Sequence, residues 1–437
     1  MVEMLSPTVT TNGSRTEQHD PYVAYGTTGL VQYAGRIAEE YLRAWRGTQK
    51  KKTIQEMHTD AIIAASLLIY EMLIRQVTWD FAVAGQDNLA QEHAAFARQV
   101  WFEDHQTAWT NVVSEILTML SWGFAPIQMV LKRRQGDNRD PALHSRFNDG
   151  RIGLSQLFLH GQETVERWFI DTDHGGRLEG FEQQDTIGGK RYAISLERIL
   201  LFRTRVYKQN PEGSSLLRGA YLPWYHKKNY DVFQGIGIER DTAGLHVIRI
   251  PKVVMEDPAY LSIYNDYKKM AVNLRNDEQA GLVLPSDRDD KGHFYYDVER
   301  IQSVGGQRQI DIGKAIDQKN LEMLLALMTD ILVVGHEKIG SLALHSSKTS
   351  LLSTALGGIM DIIVEGVHRQ GMPRLWRVNG FPPETMPRLA HGDIEQQNLE
   401  EVANFILRLS QAGFQVDDLE PEVRRRTGFP MRIEERV

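Results

Sequence analysis

The chain of 437 residues contains no cysteine. That absence removes disulfides, thiolate zinc sites, iron–sulfur ligation and a cysteine nucleophile together, and it fits a reducing cytoplasm. An excess of positive charge is missing too: 50 Lys and Arg stand against 57 Asp and Glu, a net charge of -7. Nucleic-acid binders draw most of their affinity from neutralised phosphates and are usually basic, so tight DNA binding is not expected. Long apolar runs are lacking as well. Ala61 to Ile74 is interrupted by Ser66, Tyr70 and Glu71, and Leu321 to Val334 carries Glu322 and Asp330. Both fall short of the ~20 residues that a bilayer span requires, so no membrane partner is predicted. Met1 to Gly29 is polar, without the basic start and apolar core of a secretory leader.

The common catalytic signatures are not found either. There is no His-Glu-x-x-His run and no Gly-x-Ser-x-Gly elbow. Gly235-Ile236-Gly237-Ile238-Glu239-Arg240 follows a helical run and lacks the third glycine of a dinucleotide fingerprint. Gly340-Ser341 through Lys348-Thr349 has the wrong spacing for a phosphate loop. Asp171, Asp173 and His174 are oxygen and nitrogen donors close in sequence, and such a set could chelate a divalent metal. Gly175 and Gly176 follow directly, and this favours a turn between strands. Glu103, Asp104 and His105 read as a helix cap with solvated charges. Lys132-Arg133-Arg134, Lys227-Lys228, Lys268-Lys269 and Arg424-Arg425-Arg426 read as solvated ends of elements. No catalytic residue, cofactor or metal site is predicted.

What is present is an ordinary globular composition, 42% hydrophobic and 24% charged. Its length suggests two to four units of ~150 residues. The first ~50 residues read as an arm ending at Lys50, Lys51 and Lys52. A helix follows from Thr53, with Ile62, Ala65, Leu68 (or Ile69) and Met72 as its apolar face. Val77 to Val83 reads as a strand. Two helices come next, the second over Thr107 to Trp122 with Trp109, Val112, Val113, Ile116, Leu117 and Leu120 on one face. Gly123 ends it, and Ala125 to Leu131 is a strand. Beyond a polar loop, Gly136 to Gly153, strands are expected at Gln156 to His160, Arg167 to Ile170 and Leu200 to Arg205, which makes the region α+β.

Asn210-Pro211-Glu212-Gly213 marks a boundary. The helix that follows from Ser214 is expected to break or bend near Pro223. Leu245 to Val254, Gly281 to Leu284 and Phe294 to Val304 read as strands. Pro258 to Arg275, Asp311 to Val334, Ser350 to Arg369 and Asp393 to Gly413 read as helices. In the third of these, Leu352, Ala355, Ile359, Ile362 and Gly366 share a face. Between the second and third lies His336 to Thr349, read as a loop of Gly, Ser, Thr and His.

One segment is specific enough to name a family. Asn210 to Asn229, NPEGSSLLRGAYLPWYHKKN, is similar to a stretch of phage portal proteins, particularly the Mu-like group. The resemblance rests on Asn210, Pro211, Gly213, Ser215, Leu216, Leu217, Arg218, Tyr221, Trp224, Lys227 and Lys228. Ile238 to Pro251, Gly281 to Asp287, Gly340 to Gly380 and Gly392 to Gly413 resemble later elements of that family in the same order. The likeness runs from about Thr53 to Pro430.

The resemblance implies an α+β portal fold: a mixed α/β wing, a two-helix stem, a small β clip and a helical C-terminal crown. It places an N-terminal arm at 1–52, the wing at 53–257, stem helices at 258–275 and 310–335, and the clip at 276–309. A channel loop at 336–349, a wing return with a long helix at 350–392 and the crown at 393–437 complete it. In function, it implies a twelve-subunit ring at one capsid vertex, the conduit for double-stranded DNA packaging and ejection. Implied partners are other copies of the chain, the terminase large subunit, the major capsid protein and scaffold, and neck or adaptor proteins. DNA in transit would be held weakly and without specificity. The protein would assemble in the host bacterial cytoplasm and reside in the virion.

Terminase and adaptors would dock on Asp287, Arg288, Asp289, Asp290, Lys291, Phe294 and Tyr295. Lys338, Ser341, Leu342, Leu344, His345, Ser346 and Lys348 would face the DNA. Two alternatives compete: another neck or connector ring protein, and a metal-dependent phosphodiesterase using Asp171, Asp173 and His174.

Overall fold

A computed structural model describes residues 26–85, 87–171, 175–185, 187–243, 245–275, 288, 291–301, 306–330 and 342–392. The chain divides into two compact units. Met1–Lys52, Thr78–Ser215 and Ile359–His391 form the first; Thr53–Val77, Leu216–Gly358 and Gly392–Val437 form the second. The boundary expected near Gly213 therefore coincides with a change of unit, whereas the expected wing, 53–257, is shared between both.

The first unit is α+β. Its central strand β4 (Phe124–Arg133) is flanked antiparallel by β5 (Ile152–Leu159) and β9 (Ile199–Arg203). Phe124 to Ile127 are buried in succession, which is why β4 reads as a continuous apolar run and not an alternation. A meander of β6 (Val165–Asp171), β7 (Arg177–Gln184) and β8 (Arg191–Ser195) stands beside it. Trp168 and Phe181 of the meander share a core with Phe124, Ile199 and Leu201. Strands β7 and β8 were not expected, because RLEGFEQQ and RYAIS carry few apolar positions.

Residues 26–52 are not simply an arm. They form the short pair β1 (Gln32–Tyr33) and β2 (Arg36–Ile37), bury Trp45, and open α1 (Gly47–Met57). Strand β3 (Trp79–Ala82) pairs with β12 (Arg388–His391). Between β3 and β4 come α3 (Asn88–Arg98), a π-helical turn Gln99–Glu103, α4 (Trp109–Leu117) and α5 (Met119–Trp122). All six residues of the predicted face, Trp109 to Leu120, are buried. Gly123 ends the run at φ 95°, a left-handed geometry that suits glycine.

In the second unit α2 (Ala61–Arg75) is capped by Asp60, whose carboxylate accepts from the Ile62 and Ile63 amides. Its buried residues are Ile63, Ser66, Tyr70 and Ile74, not the expected Ile62, Ala65, Leu68 and Met72. Polar anchors set this rotation: Ser66 Oγ lies 2.7 Å from Thr329 Oγ1, and the Tyr70 hydroxyl donates to the Leu327 carbonyl at 2.6 Å. Burial pushes the Tyr70 phenol up to about 12.

Helix α6 (Leu217–Ala243) runs 27 residues straight through Pro223 instead of breaking there. Pro223 removes the bond that an amide there would donate to the Gly219 carbonyl, and the helix continues on both sides of the ring. Strand β10 (Leu245–Arg249) is shorter than expected, because Pro251 cannot continue the ladder. Helices α7 (Lys252–Glu256) and α8 (Leu261–Arg275) follow, and β11 (Asp297–Ile301) pairs antiparallel with β10.

Helix α9 (Gly306–Ala326) starts earlier and stops earlier than the expected 311–334. Met328, at φ 55°, lies just past its end. Helix α10 (Leu342–Gly366) likewise begins eight residues before Ser350. Leu352 and Gly366 of the expected face are buried, but Leu356, Met360 and Ile363 take the place of Ala355, Ile359 and Ile362. A π-helical turn, Val367–Gly371, then leads into α11 (Met372–Asn379) in the first unit. The run Leu351–Asn379 has the length and apolar content of a bilayer span; Leu356, Met360, Ile363, Val367, Leu375 and Trp376 within it are buried in protein. The expected strand at 281–284 and helix at 393–413 lie outside the described residues.

Candidate functional site

The Asn210–Asn229 motif builds the joint at which the chain leaves the first unit. Asn210 Oδ1 accepts the Glu212 amide at 2.9 Å, closing a tight turn. Gly213 follows at φ 55°, and a Cβ there would lie 2.3 Å from the Gly123 carbonyl oxygen. The approach is reciprocal, since a Cβ on Gly123 would lie 2.3 Å from the Glu212 carbonyl oxygen. Thr204 Oγ1 stitches the joint, 2.6 Å from the Ser214 carbonyl oxygen and 3.1 Å from that of Gly123. Ser215 Oγ donates to the Ser121 carbonyl. The glycines are thus required by backbone contact.

The second half of the motif seats α6. Leu217, Ala220 and Trp224 are buried. Lys227 pairs with Asp60 at 2.8 Å, and Lys228 pairs with Glu56 at 2.8 Å while lying over the Trp224 ring. Lys227 is therefore half of a partly buried pair, where a solvated helix end was expected. Helices α6 and α9 pack along each other. Gly219, near the start of α6, faces Ala326 at the end of α9, and their other ends lead into the paired strands β10 and β11. The two helices form an antiparallel hairpin. Helix α8, expected to partner the 310–335 helix, packs instead against β10 and α7.

At the far end of this hairpin, Arg288 bridges to Phe294 in antiparallel fashion and sets its guanidinium over that ring at 3.9 Å. Phe294 and Tyr295 are each 49% exposed, and Lys291 is exposed. Tyr267 stacks on Tyr296 at 5.6 Å, tying α8 to the same segment. Asp287, Asp289 and Asp290 lie outside the described residues, as do Lys338 and Ser341. Leu342, Leu344, His345, Ser346 and Lys348 occupy the first two turns of α10; in this part the expected loop is helical. Asp171 pairs with Arg177 in the β6–β7 register, and Asp173 and His174 are outside the described residues.

Two polar sites escaped the sequence reading. Asp104, Lys132 and Arg134, expected in solvent, are 3%, 5% and 0% exposed. Asp104 accepts from Ser145 Oγ at 2.7 Å and the Arg146 amide at 2.8 Å, and lies 3.4 Å from Lys132 Nζ. Arg134 reaches Gln99 Oε1 at 2.8 Å and Asp149 at 3.2 Å, with the Phe147 ring over its guanidinium. These contacts tie the 136–150 loop to the first unit. The second site is a cleft of about 160 Å³ near the start of α1, walled by Trp122, Phe124 and Trp168. Three cations in its lining share two carboxylates: Lys50 pairs with Glu212 at 2.6 Å, Lys51 with Glu166 at 3.0 Å, and Arg36 lies 3.9 Å from the same Glu166. No sequence signal joins positions so far apart. Among the described residues, no cluster of three or more His, Asp or Glu is arranged to hold a metal.

Comparison with known proteins places this geometry. The family described as the portal protein of Mu bacteriophage matches residues 52–429. Comparison with curated proteins gives no match. Among solved structures, the neck of an empty gene transfer agent particle computed with C6 symmetry has a TM-score of 0.52 at 12% identity. The neck of the native particle computed with C12 symmetry has a TM-score of 0.50 at 11% identity. Each match covers 87% of this chain and 94% of that chain. An HK97-family phage portal protein from Corynebacterium diphtheriae, at 14% identity and TM-score 0.40, covers 74% of this chain and 90% of that one, too distant to carry an argument. The structural likenesses bear on fold alone, but the family match runs from within α1 to residue 429; the chain belongs to the Mu portal family and is a phage head-to-tail connector protein.

Proposed function

We propose that copies of this chain close into a ring, of twelve subunits, at a single capsid vertex, and that the ring is the conduit for DNA packaging and ejection. The observation that carries the reading is the family match over residues 52–429. The antiparallel hairpin of α6 and α9 serves as the stem, replacing 258–275 in that role, and the segment between them, with β10, α7, α8 and β11, is the clip. Its exposed Phe294 and Tyr295, with Asp287 to Lys291, receive the terminase large subunit and then the neck or adaptor proteins. The first unit is the bulk of the wing, which meets capsid protein and scaffold, and 393–437 is the crown. Residues 336–349, with Lys338 and Lys348, approach the DNA.

The role is structural, performed in the virion, without catalysis, cofactor or membrane. A conduit must not retain its cargo, and each neutralised phosphate adds affinity; the net charge of -7 supports a weakly interacting channel. Proheads assembled without this chain test the reading. Such particles should protect no DNA from nuclease in a packaging reaction, and normal uptake would overturn the proposal. Replacing Asp171, Asp173 and His174 together should leave assembly and packaging intact; loss of a bound divalent ion together with function would revive the phosphodiesterase alternative.

A further inference from the structure

Two exposed stripes in the second unit are apolar over most of their length, in a chain that is 24% charged; on α2 the stripe ends at Arg75, which pairs with Glu71 at 3.3 Å. On α2 the stripe is Ala61, Ala64, Ala65, Leu68 and Met72, with Leu68 50% and Met72 53% exposed. On α6 it is Leu222, Tyr225, Val232, Phe233 and Ile236, 40–60% exposed, with Asn229 between them. Solvent-facing helix surfaces normally hold charged and polar residues. The spacing of each set, at steps of three and four, keeps it on one face.

The two stripes differ in a complementary way. One is mostly alanine, a shallow groove; the other is a ridge of bulky side chains. Ridges seat in grooves at close helix contact, whereas two bulky faces hold each other apart. Their lengths also agree, roughly 17 and 21 Å at ~1.5 Å rise per residue. The chain does not bring them together itself. Helix α2 turns its opposite side, Ser66 and Tyr70, to Thr329 and Leu327, and α6 is held by Lys227 on Asp60. The seven large half-exposed side chains offer on the order of 600 Å² of apolar surface. At an apolar share of ~65%, that corresponds to about 900 Å² of interface, near the lower bound for a specific contact.

We propose that the Ala61–Met72 face of one copy receives the Leu222–Ile236 face of the next copy, forming the apolar seam between neighbouring subunits. The proposal rests on the ring reading above and gives it a residue-level contact. Because the two faces differ, the contact is head-to-tail, the type that propagates into a closed ring and not a two-fold dimer.

The absence of cysteine makes the test clean. Variants carrying Leu68→Cys or Met72→Cys are combined with Tyr225→Cys, Val232→Cys or Ile236→Cys in the full chain, then oxidised, or treated with a short bismaleimide, and run without reductant. A disulfide needs Cα atoms about 4.4–6.8 Å apart, so the grid scans the register. At least one double variant should give a ladder of covalent multimers, while every single variant stays monomeric on the gel. Dimers from a single variant would mean a face pairs with itself and would overturn the seam. Rings seen by light scattering with no ladder from any pair would overturn the seam and leave the ring reading standing. No assembly at all in the parent chain would sink the ring reading and the seam with it. As a second readout, Val232→Glu should raise the concentration needed for assembly at least tenfold with an unchanged circular dichroism spectrum; unchanged assembly would contradict the proposal.

Discussion

Gly123 and Gly213 occupy positions where the backbone of one presses on the backbone of the other, so neither tolerates a side chain. Gly213→Ala should lose ~1–2 kcal/mol from the left-handed conformation alone, and more from the 2.3 Å approach to the Gly123 carbonyl. A lowered thermal midpoint is the expected reading; an unchanged one would show that the joint is not as close as described. Buried histidines give the molecule a pH signature. Desolvation holds the buried His93 and His160 and the half-buried His105 below the ordinary imidazole range, and His160 is caught between Gln183 and Gln128 at 2.9 and 2.8 Å. With folded values below the unfolded ~6.5, the unfolded chain takes up protons first. Stability should therefore be full above that value and fall as pH drops from about 7 towards 5. Denaturant midpoints across this window check the sign, and His160→Gln should flatten part of the slope.

At the scale of elements, α10 offers a sharp test. If the helix began at Ser350, proline there would sit in the first turn at little cost. Starting at Leu342, position 350 is interior, so Ser350→Pro should cost about 3 kcal/mol or more and lower both helicity and the thermal midpoint. A neutral outcome would move the start of α10 back to 350. The same contrast explains what was legible. Helix α4 was read correctly because Val112, Val113, Ile116 and Leu117 are apolar on one side only. Helices α2 and α10 are apolar around most of their circumference, so periodicity alone could not choose the buried side; Ser66 and Tyr70 choose it through hydrogen bonds to residues over 250 positions away. Strands β7 and β8 gave little pattern because their apolar positions are few. Asp104, Lys132 and Arg134 looked like surface charges because the partners that let them be buried come from separate segments.

For the whole molecule, no composition or spacing announced a function; the ordered motifs from Asn210 onward did, through the family to which they belong. The fold then refined that reading by pairing α6, not α8, with α9, and by leaving apolar faces on α2 and α6 that a solitary chain has no reason to keep. Under the proposed ring, a chain of net charge -7 with such faces would meet copies of itself more firmly than it meets DNA. The direct measurement is the mass and image of the purified full-length chain: size-exclusion with light scattering, and negative-stain micrographs of the same peak. The account predicts an assembly of about twelve times 49.9 kDa, seen end-on as rings with a central channel. A monodisperse species of 49.9 kDa at micromolar concentration, with no rings on the grid, would contradict it.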